Sequence, residues 1–181
     1  MSRDFEAIPT WHDGVMFRSM TEAKWSAFFG ALGIRYEYEP GRFDLSTGGS
    51  YLPDFWIPAF KAYLEVKPAN EVIRKAERHR AEQFAHDQPG FHHWISRGAP
   101  SADRNYVEVL NDGHAKWTEG CILEDRRDEG VFWLAGFNGD MTGAQALGGW
   151  GQSTPHDRNP IETKRIRAAY MAAQSIRRIA A

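Results

Sequence analysis

The chain has 181 residues, of which 42% are hydrophobic and 13% aromatic; it is long and apolar enough to bury a core, which excludes a disordered tail. Twenty-two Lys and Arg against 24 Asp and Glu give a formal charge of −2, which excludes a wholly basic surface wrapped around nucleic acid, so a polyanionic partner must be met by local patches. One cysteine, Cys121, excludes an intramolecular disulfide framework and a multi-cysteine zinc ribbon, and it reads as a small buried hydrophobe in a reducing cytoplasm.

The opening MSRDFEAIPTWHDG has no basic segment followed by an apolar run, and no stretch approaches the ~18 consecutive apolar residues of a membrane span. The expectation is a soluble, cytoplasmic protein with no membrane partner. In SMTEAKWSAFFGALG, Ser19 stands as N-cap with Glu22 at capping-box spacing. Trp25, Phe28, Phe29 and Leu32 follow at helical intervals, and Gly33 supplies the stop. IRYEYEP alternates Tyr36 and Tyr38 with Glu37 and Glu39, the period of a strand that Pro40 and Gly41 end. FDLSTGGS turns the chain through Gly48 and Gly49. Two more strands are predicted at about 51–57 and 62–67, joined by a short turn after Pro58. NEVIRKAERHRAEQFAHD reads as an amphipathic helix with Asn70 as N-cap and Val72, Ile73, Ala76 and Phe84 as its apolar stripe. FHHWIS reads as a further strand, so the order through residue 97 is α-β-β-β-α-β.

Beyond it, NYVEVLND, KWTEGCILED and GVFWLAGF predict three strands, the last two as a hairpin, in a β-rich extension over residues 98–137. They either extend the first sheet or form a small one beside it. Residues 138–159 are rich in Gly, Ser, Thr and Pro without periodicity, the composition of a long loop. A basic amphipathic helix is predicted over 160–181, with Asn159 as N-cap, Pro160 and Glu162 in its first turn, and a stripe of Ile166, Ala169, Tyr170, Ala173 and Ile176. Its Lys164, Arg165, Arg167, Arg177 and Arg178 suit a phosphate backbone, where each neutralised phosphate releases counterion; the same helix equally suits packing on the core or on a second subunit.

The chemistry concentrates in YLPDFWIPAFKAYLEVKP. A two-residue turn at Ala59 and Phe60 pairs Ile57 with Ala62 and, three steps on, places Asp54 opposite Glu65 and Leu52 opposite Lys67. Alternation then puts the apolar residues on one face of the sheet and the three ionisable groups on the other. Directly opposed like charges are destabilising, and a divalent cation relieves them: magnesium takes one or two carboxylates and completes its shell with water and phosphate oxygens. An ion so held activates water toward a phosphodiester, with Lys67 orienting the water or stabilising developing charge. The plainer reading is an exposed antiparallel face with Lys67 paired to a carboxylate. For Glu22, capping alone is a sufficient explanation. Arg74, Lys75, Arg78 and Arg80 are interleaved with Glu71, Glu77 and Glu82, which is the pattern of a solvated face. His79, His86, His92 and His93 have no zinc-site spacing, although His92 or His93 could project toward the cleft as a general acid.

Pro53 and Asp54 followed by Glu65, Val66 and Lys67, in this element order over residues 17–97, resemble the PD-(D/E)XK nuclease superfamily of restriction endonucleases, junction resolvases and phage and transposon nucleases. The resemblance implies an α/β fold with a restriction-endonuclease-like core over residues 1–97. It implies Asp54 and Glu65 as ligands of Mg2+ or Mn2+, Lys67 as assistant to the attacking water, Glu22 as the glutamate of the preceding helix completing the metal shell, and Gln83 as an accessory residue on the following helix. It further implies a metal-dependent DNA endonuclease, of phage or mobile-element type, working as a homodimer or within a larger nucleoprotein complex. The alternatives are a nuclease-fold module that binds nucleic acid or protein without cutting, and a nuclease active only as a subunit of a larger assembly.

Overall fold

The computed structural model describes residues 7–69, 73–101, 105–111, 114–126, 130–134, 144–147, 150–151 and 164–177. The described chain begins with a hairpin of β1 (Thr10–His12) and β2 (Val15–Phe17), strands too short to show alternation in the sequence. Asp13 and Gly14 turn it with both φ positive, which suits the right-handed twist of the paired strands. Helix α1 (Met20–Leu32) starts and stops at its predicted caps. The Glu22 N–H donates to Ser19 Oγ at 3.2 Å, that hydroxyl donates to Glu22 Oε1 at 2.7 Å, and Gly33 closes the helix at φ 70.

The strand predicted across IRYEYEP is reduced to β3 (Glu37–Tyr38), because Glu39 turns to φ 47. The strand predicted at 51–57 is two strands. Ser50–Tyr51 forms β5 and pairs with β4 (Phe43–Asp44) in a separate two-stranded sheet, while β6 runs Phe55–Ile57. Pro53 lies between them and has no N–H to give a ladder. β6 and β7 (Ala62–Lys67) adopt the expected register, Phe55 with Leu64, Trp56 with Tyr63 and Ile57 with Ala62. The reversal is a 3-10 turn over Pro58–Phe60 followed by Lys61 at φ 47, in place of a two-residue turn.

Helix α2 (Lys75–Asp87) leads to β8 (His92–Arg97), which lies parallel to β7. Asn70 is not its N-cap. Ile73 is buried in a cluster with Ala81, Ala85, Ile95 and Leu110, and the chain is still extended at Arg74, the cap position, which makes no side-chain cap bond. The strands β9 (Asn105–Asn111), β10 (His114–Arg126), β11 (Gly130–Leu134), β12 (Ala144–Leu147) and β13 (Trp150–Gly151) continue the same sheet. Its order is β3-β6-β7-β8-β9-β10-β11-β12-β13, antiparallel at each neighbouring pair except β7–β8. The β-rich segment therefore extends the first sheet, β10 and β11 form the expected hairpin, and β12 and β13 occupy part of the stretch expected to be loop. The protein is a mixed α/β structure with a mixed sheet and a C-terminal helix. Along the large sheet the order is α1, β3, β6, β7, α2, β8, with the β4–β5 hairpin inserted.

Both faces of this sheet are covered near its β3 end. One face carries Phe55, Ile57, Leu64, Val66, Trp94 and Val107 against α1 and α3 (Lys164–Ser175). Ile166, Ala169, Tyr170 and Ala173 of α3 are buried there, and the Tyr170 ring stands 5.1 Å from that of Phe28. The stripe thus packs on the core of the same chain; its predicted cap residues Asn159, Pro160 and Glu162 lie outside the described residues. The other face, which alternation alone assigns to charge, holds Tyr63, Ile95 and Leu110 beneath Phe84 and its neighbours on α2 and the β4–β5 hairpin. Glu65 and Lys67 sit within that layer, not on an open surface.

Because α3 contributes to the core, Ile166→Ala is expected to destabilise the chain by about 2–5 kcal/mol in chemical denaturation. Met171, 65% exposed on the same helix, is expected to tolerate alanine within about 0.5 kcal/mol. Equal small effects at both positions would contradict the packing of α3 on α1.

Candidate active site

Asp54 sits where β6 begins, beside the C-terminal half of β7. The Glu39 N–H donates to its carbonyl at 2.8 Å, and its side chain takes over where Pro53 has ended the ladder: Oδ2 accepts from the Val66 N–H at 2.7 Å. The carboxylate is therefore carried into the interior, where the residue is 4% exposed. Glu65 and Lys67 lie on neighbouring β7 positions of one face. Lys67 Nζ contacts Glu65 Oε1 at 2.7 Å and also donates to Glu77 Oε1 from the first turn of α2. The Tyr51 hydroxyl donates to Glu65 Oε2 at 3.0 Å. Each Glu65 oxygen thus has a donor.

Glu22 reaches the same neighbourhood from α1. Its Oε2 accepts from the Tyr38 hydroxyl at 2.6 Å and from the Arg18 N–H at 3.2 Å, while Oε1 remains in the capping bond with Ser19. Capping and proximity to Asp54 coexist in one side chain. Arg18 places Nη2 3.1 Å from Asp54 Oδ1 and Nε 2.5 Å from Glu39 Oε1. Glu39 is thereby brought to the edge of the cluster through Arg18.

Crowded, buried carboxylates resist ionisation. Burial, then Glu65 and Glu22, push the Asp54 carboxyl well above the usual range; the Val66 N–H and Lys67 pull the other way and lose. Burial also raises Glu65, against the opposing pull of Lys67 and Tyr51. For Lys67, burial favours the neutral amine, but Glu65 and Glu77 outweigh it and hold the ammonium above its ordinary value. Burial and the adjoining Glu65 and Asp54 carboxylates raise the Tyr51 phenol well above its own, so it remains a donor. The centre is a protonated lysine among two or three carboxylates that share too little positive charge.

That chemistry suits a hard divalent cation, for which carboxylate oxygens and phosphate oxygens are the natural ligands. Asp54 and Glu65, with Glu22 behind them, are the residues that would hold it. Among the described residues no group of three or more His, Cys, Asp or Glu stands ready as a metal cage. Magnesium commonly takes one or two carboxylates and several waters, so a two-carboxylate site does not require such a cage.

Other sequence candidates lie elsewhere. Gln83 donates to Ser46 Oγ and Asp87 Oδ1, both at 2.8 Å, and so ties the β4–β5 turn to the end of α2. It is six residues past Glu77, about 9 Å along the helix, which carries it away from the carboxylates. Ser46, through its N–H and hydroxyl, holds the Asp87 carboxyl down to about 2. Arg78 is committed to Glu108, which is fully buried, and to Glu82. His93 lies buried against Tyr63 with Nε2 3.1 Å from the Gln88 carbonyl, and His92 stacks on Trp94, so both belong to the aromatic packing. Lys164 and Arg167 are exposed on α3 and Arg177 is exposed just past its end; Arg178 and the side chain of Arg165 lie outside the described residues, as does the side chain of Cys121.

Sequence reasoning missed Arg18, Tyr38, Tyr51 and Glu77. Arg18 lies before the N-cap of α1 and its side-chain partners Glu39 and Asp54 are distant in sequence, so no local spacing announces it. Glu77 was hidden among the alternating charges of α2.

The raised Asp54 carboxyl has a consequence for stability. Folding draws a proton onto it, so its contribution turns unfavourable as pH rises from the unfolded carboxyl range through the folded one. Asp54→Asn is expected to exceed the parent in stability at pH 8 by roughly 1 kcal/mol. The gap should close toward pH ~4, where the unfolded carboxyl also protonates. Thermal melts across that range measure it, and a variant less stable than the parent at pH 8 would contradict the burial-driven shift. Comparison of the chain with protein-family models, curated proteins and solved structures finds no match.

Proposed function

We propose that this chain is a metal-dependent deoxyribonuclease with a restriction-endonuclease-like core, hydrolysing DNA phosphodiester bonds by an activated water, as an endonuclease and without a covalent enzyme intermediate. The observation that carries the reading is a pair of buried carboxylates, Asp54 and Glu65, held beside a protonated lysine with charge left unneutralised. Buried, mutually repelling carboxylates of this kind recur at functional sites, which supports the reading.

Mg2+ or Mn2+ bound there would supply Lewis acidity, polarising a phosphoryl oxygen and lowering the pKa of a water. Asp54 and Glu65 bind and orient the ion, and Glu22 adds negative charge on its α1 side. The Lys67 ammonium is fixed by Glu65 and Glu77 and stays charged. It therefore acts as a cation that positions the nucleophile and stabilises negative charge on the phosphate, and not as a base. Exposed Lys164 and Arg167 of α3, with Arg177 just past its end, offer local positive charge to the DNA backbone on a chain that is weakly acidic overall. Assembly as a homodimer or in a larger nucleoprotein complex, and a phage or mobile-element setting, belong to the same reading.

A second reading, a nuclease-fold module that binds without cutting, is favoured by one contact: Arg18 already occupies Asp54 Oδ1. One assay separates the two. Purified chain is incubated with supercoiled, linear, branched and single-stranded DNA and with RNA, in Mg2+, Mn2+ or chelator. Metal-dependent DNA cleavage is expected. Lys67→Ala is expected to lower the rate by about a hundredfold or more, and Asp54→Ala at least as much. Cleavage indifferent to either substitution would remove these residues from the site, and metal-dependent binding without cleavage would favour the second reading.

A further inference from the structure

The two cations of the cluster are held in different ways. Lys67 is 13% exposed and lies between Glu65 and Glu77. Arg18 has a side chain 56% exposed, yet its partner Asp54 is 6% exposed. An ion pair with one member in water is weak and easily exchanged, whereas a buried carboxylate left beside Glu65 and Glu22 must take up another positive charge, a proton or a metal cation. The departure of the arginine and the arrival of a different cation are therefore linked.

The two oxygens of Asp54 are not equivalent. Oδ2 is fixed by the Val66 N–H at 2.7 Å, a backbone group that cannot leave without breaking the sheet. Oδ1 is exchangeable, and Arg18 Nη2 is its occupant. The backbone of Arg18 is meanwhile pinned, because its N–H donates to Glu22 Oε2 and to the Tyr38 hydroxyl at 3.0 Å. The backbone stays at the site, and the half-exposed head group is the part that reaches solvent. Glu39, 31% exposed, steadies the guanidinium on its outer side.

We propose that Arg18 couples cation loading at Asp54 to substrate binding: in the free protein its guanidinium holds the Asp54 oxygen that a divalent cation needs, and a DNA phosphate draws it off. The inference rests on the metal-dependent nuclease reading and adds a substrate-binding residue and an order of events to it. A phosphate offers a guanidinium two parallel charge-assisted hydrogen bonds, better than the single contact with Oδ1. The exchange keeps charge balanced, since the carboxylate gains the cation as the arginine gains the phosphate. Coupling of this kind is reciprocal, so DNA and cation each strengthen the binding of the other through Arg18.

One substitution then has two effects of opposite sign. Mn2+ affinity of the DNA-free chain is read by electron paramagnetic resonance of the free ion, and DNA affinity in chelator by anisotropy of a labelled phosphorothioate duplex. Arg18→Ala is expected to bind Mn2+ about fivefold more tightly than the parent and the duplex about tenfold more weakly. Arg80→Ala, an equal loss of charge on the exposed side of α2, should change Mn2+ affinity little and DNA affinity less than Arg18→Ala does. Asp54→Ala should lose the Mn2+ site. Arg18→Gln, which keeps side-chain length, carries the same expectations if the alanine variant does not fold. A parent that binds Mn2+ no more weakly than the Arg18 variants overturns the coupling alone. Absence of Mn2+ binding from parent and Arg18 variants together overturns both the coupling and the nuclease reading. Undiminished DNA affinity in the Arg18 variants removes the phosphate role.

Discussion

The hydrogen bond from the Val66 N–H to Asp54 Oδ2 determines where this sheet carries buried charge. Pro53 ends the β6 ladder from one side, and a carboxylate replaces the missing backbone acceptor on the other. A neutral amide could accept the same bond. An aspartate there brings an ionisable carboxyl to a place where water is excluded, and the polar groups around it meet the charge it can carry. Arg18 approaches Oδ1, the Glu39 N–H fixes the carbonyl, and Lys67 enters from the next strand.

Helix α2 is placed by that compensation as much as by apolar contact. Its buried apolar residues are few, Ala81, Phe84 and Ala85, too few to specify a register by packing alone. Polar anchors lie along its length. Glu77 meets Lys67 near its start, Arg78 meets the buried Glu108 of β9 one position later, and Gln83 and Asp87 meet Ser46 toward its end. A buried ionic pair adds little net stability but strongly penalises the wrong arrangement, so these contacts act chiefly on the helix's position. The same helix that closes the second hydrophobic layer therefore delivers Glu77, which joins Glu65 in keeping Lys67 charged.

Much of this was legible in the sequence where one local rule sufficed. The capping box and Gly33 bound α1, the two-residue period placed Leu64 and Val66 on one face of β7 and Glu65 and Lys67 on the other, and the Ile166 to Ala173 stripe gave the buried side of α3. The register of β6 against β7 also followed, although the turn that sets it has another geometry. What was not legible depended on partners distant in sequence. Tyr51 left its strand to pair with Phe43, the start of α2 yielded to the burial of Ile73, and the β12 and β13 pairings occur in a segment with no period. The charged face of β7 was readable as one face; that α2 would roof it was not, because the interleaved charges of that helix outweigh its short apolar stripe. Gln83 entered through the family resemblance alone, while Glu77, which touches Lys67, was hidden among those interleaved charges.

The cluster also separates rigid parts from exchangeable ones. Behind it, Phe17, Phe28, Phe29, Tyr36 and Phe55 interlock with ring centroids about 4.5–7 Å apart, the range in which aromatic pairs attract, and they seat the strand ends and the start of α1. Asp54, Glu65 and Lys67 inherit that rigidity because each is on or against a strand. Arg18 does not: its backbone is bound to Glu22 and Tyr38, but its charge extends into solvent. A site that must hold negative charge before its ligands arrive, and accept them afterwards, needs one counterion that stays and one that can go. On the proposed metal-dependent reading, burial makes that division, with Lys67 13% exposed and Arg18 56% exposed.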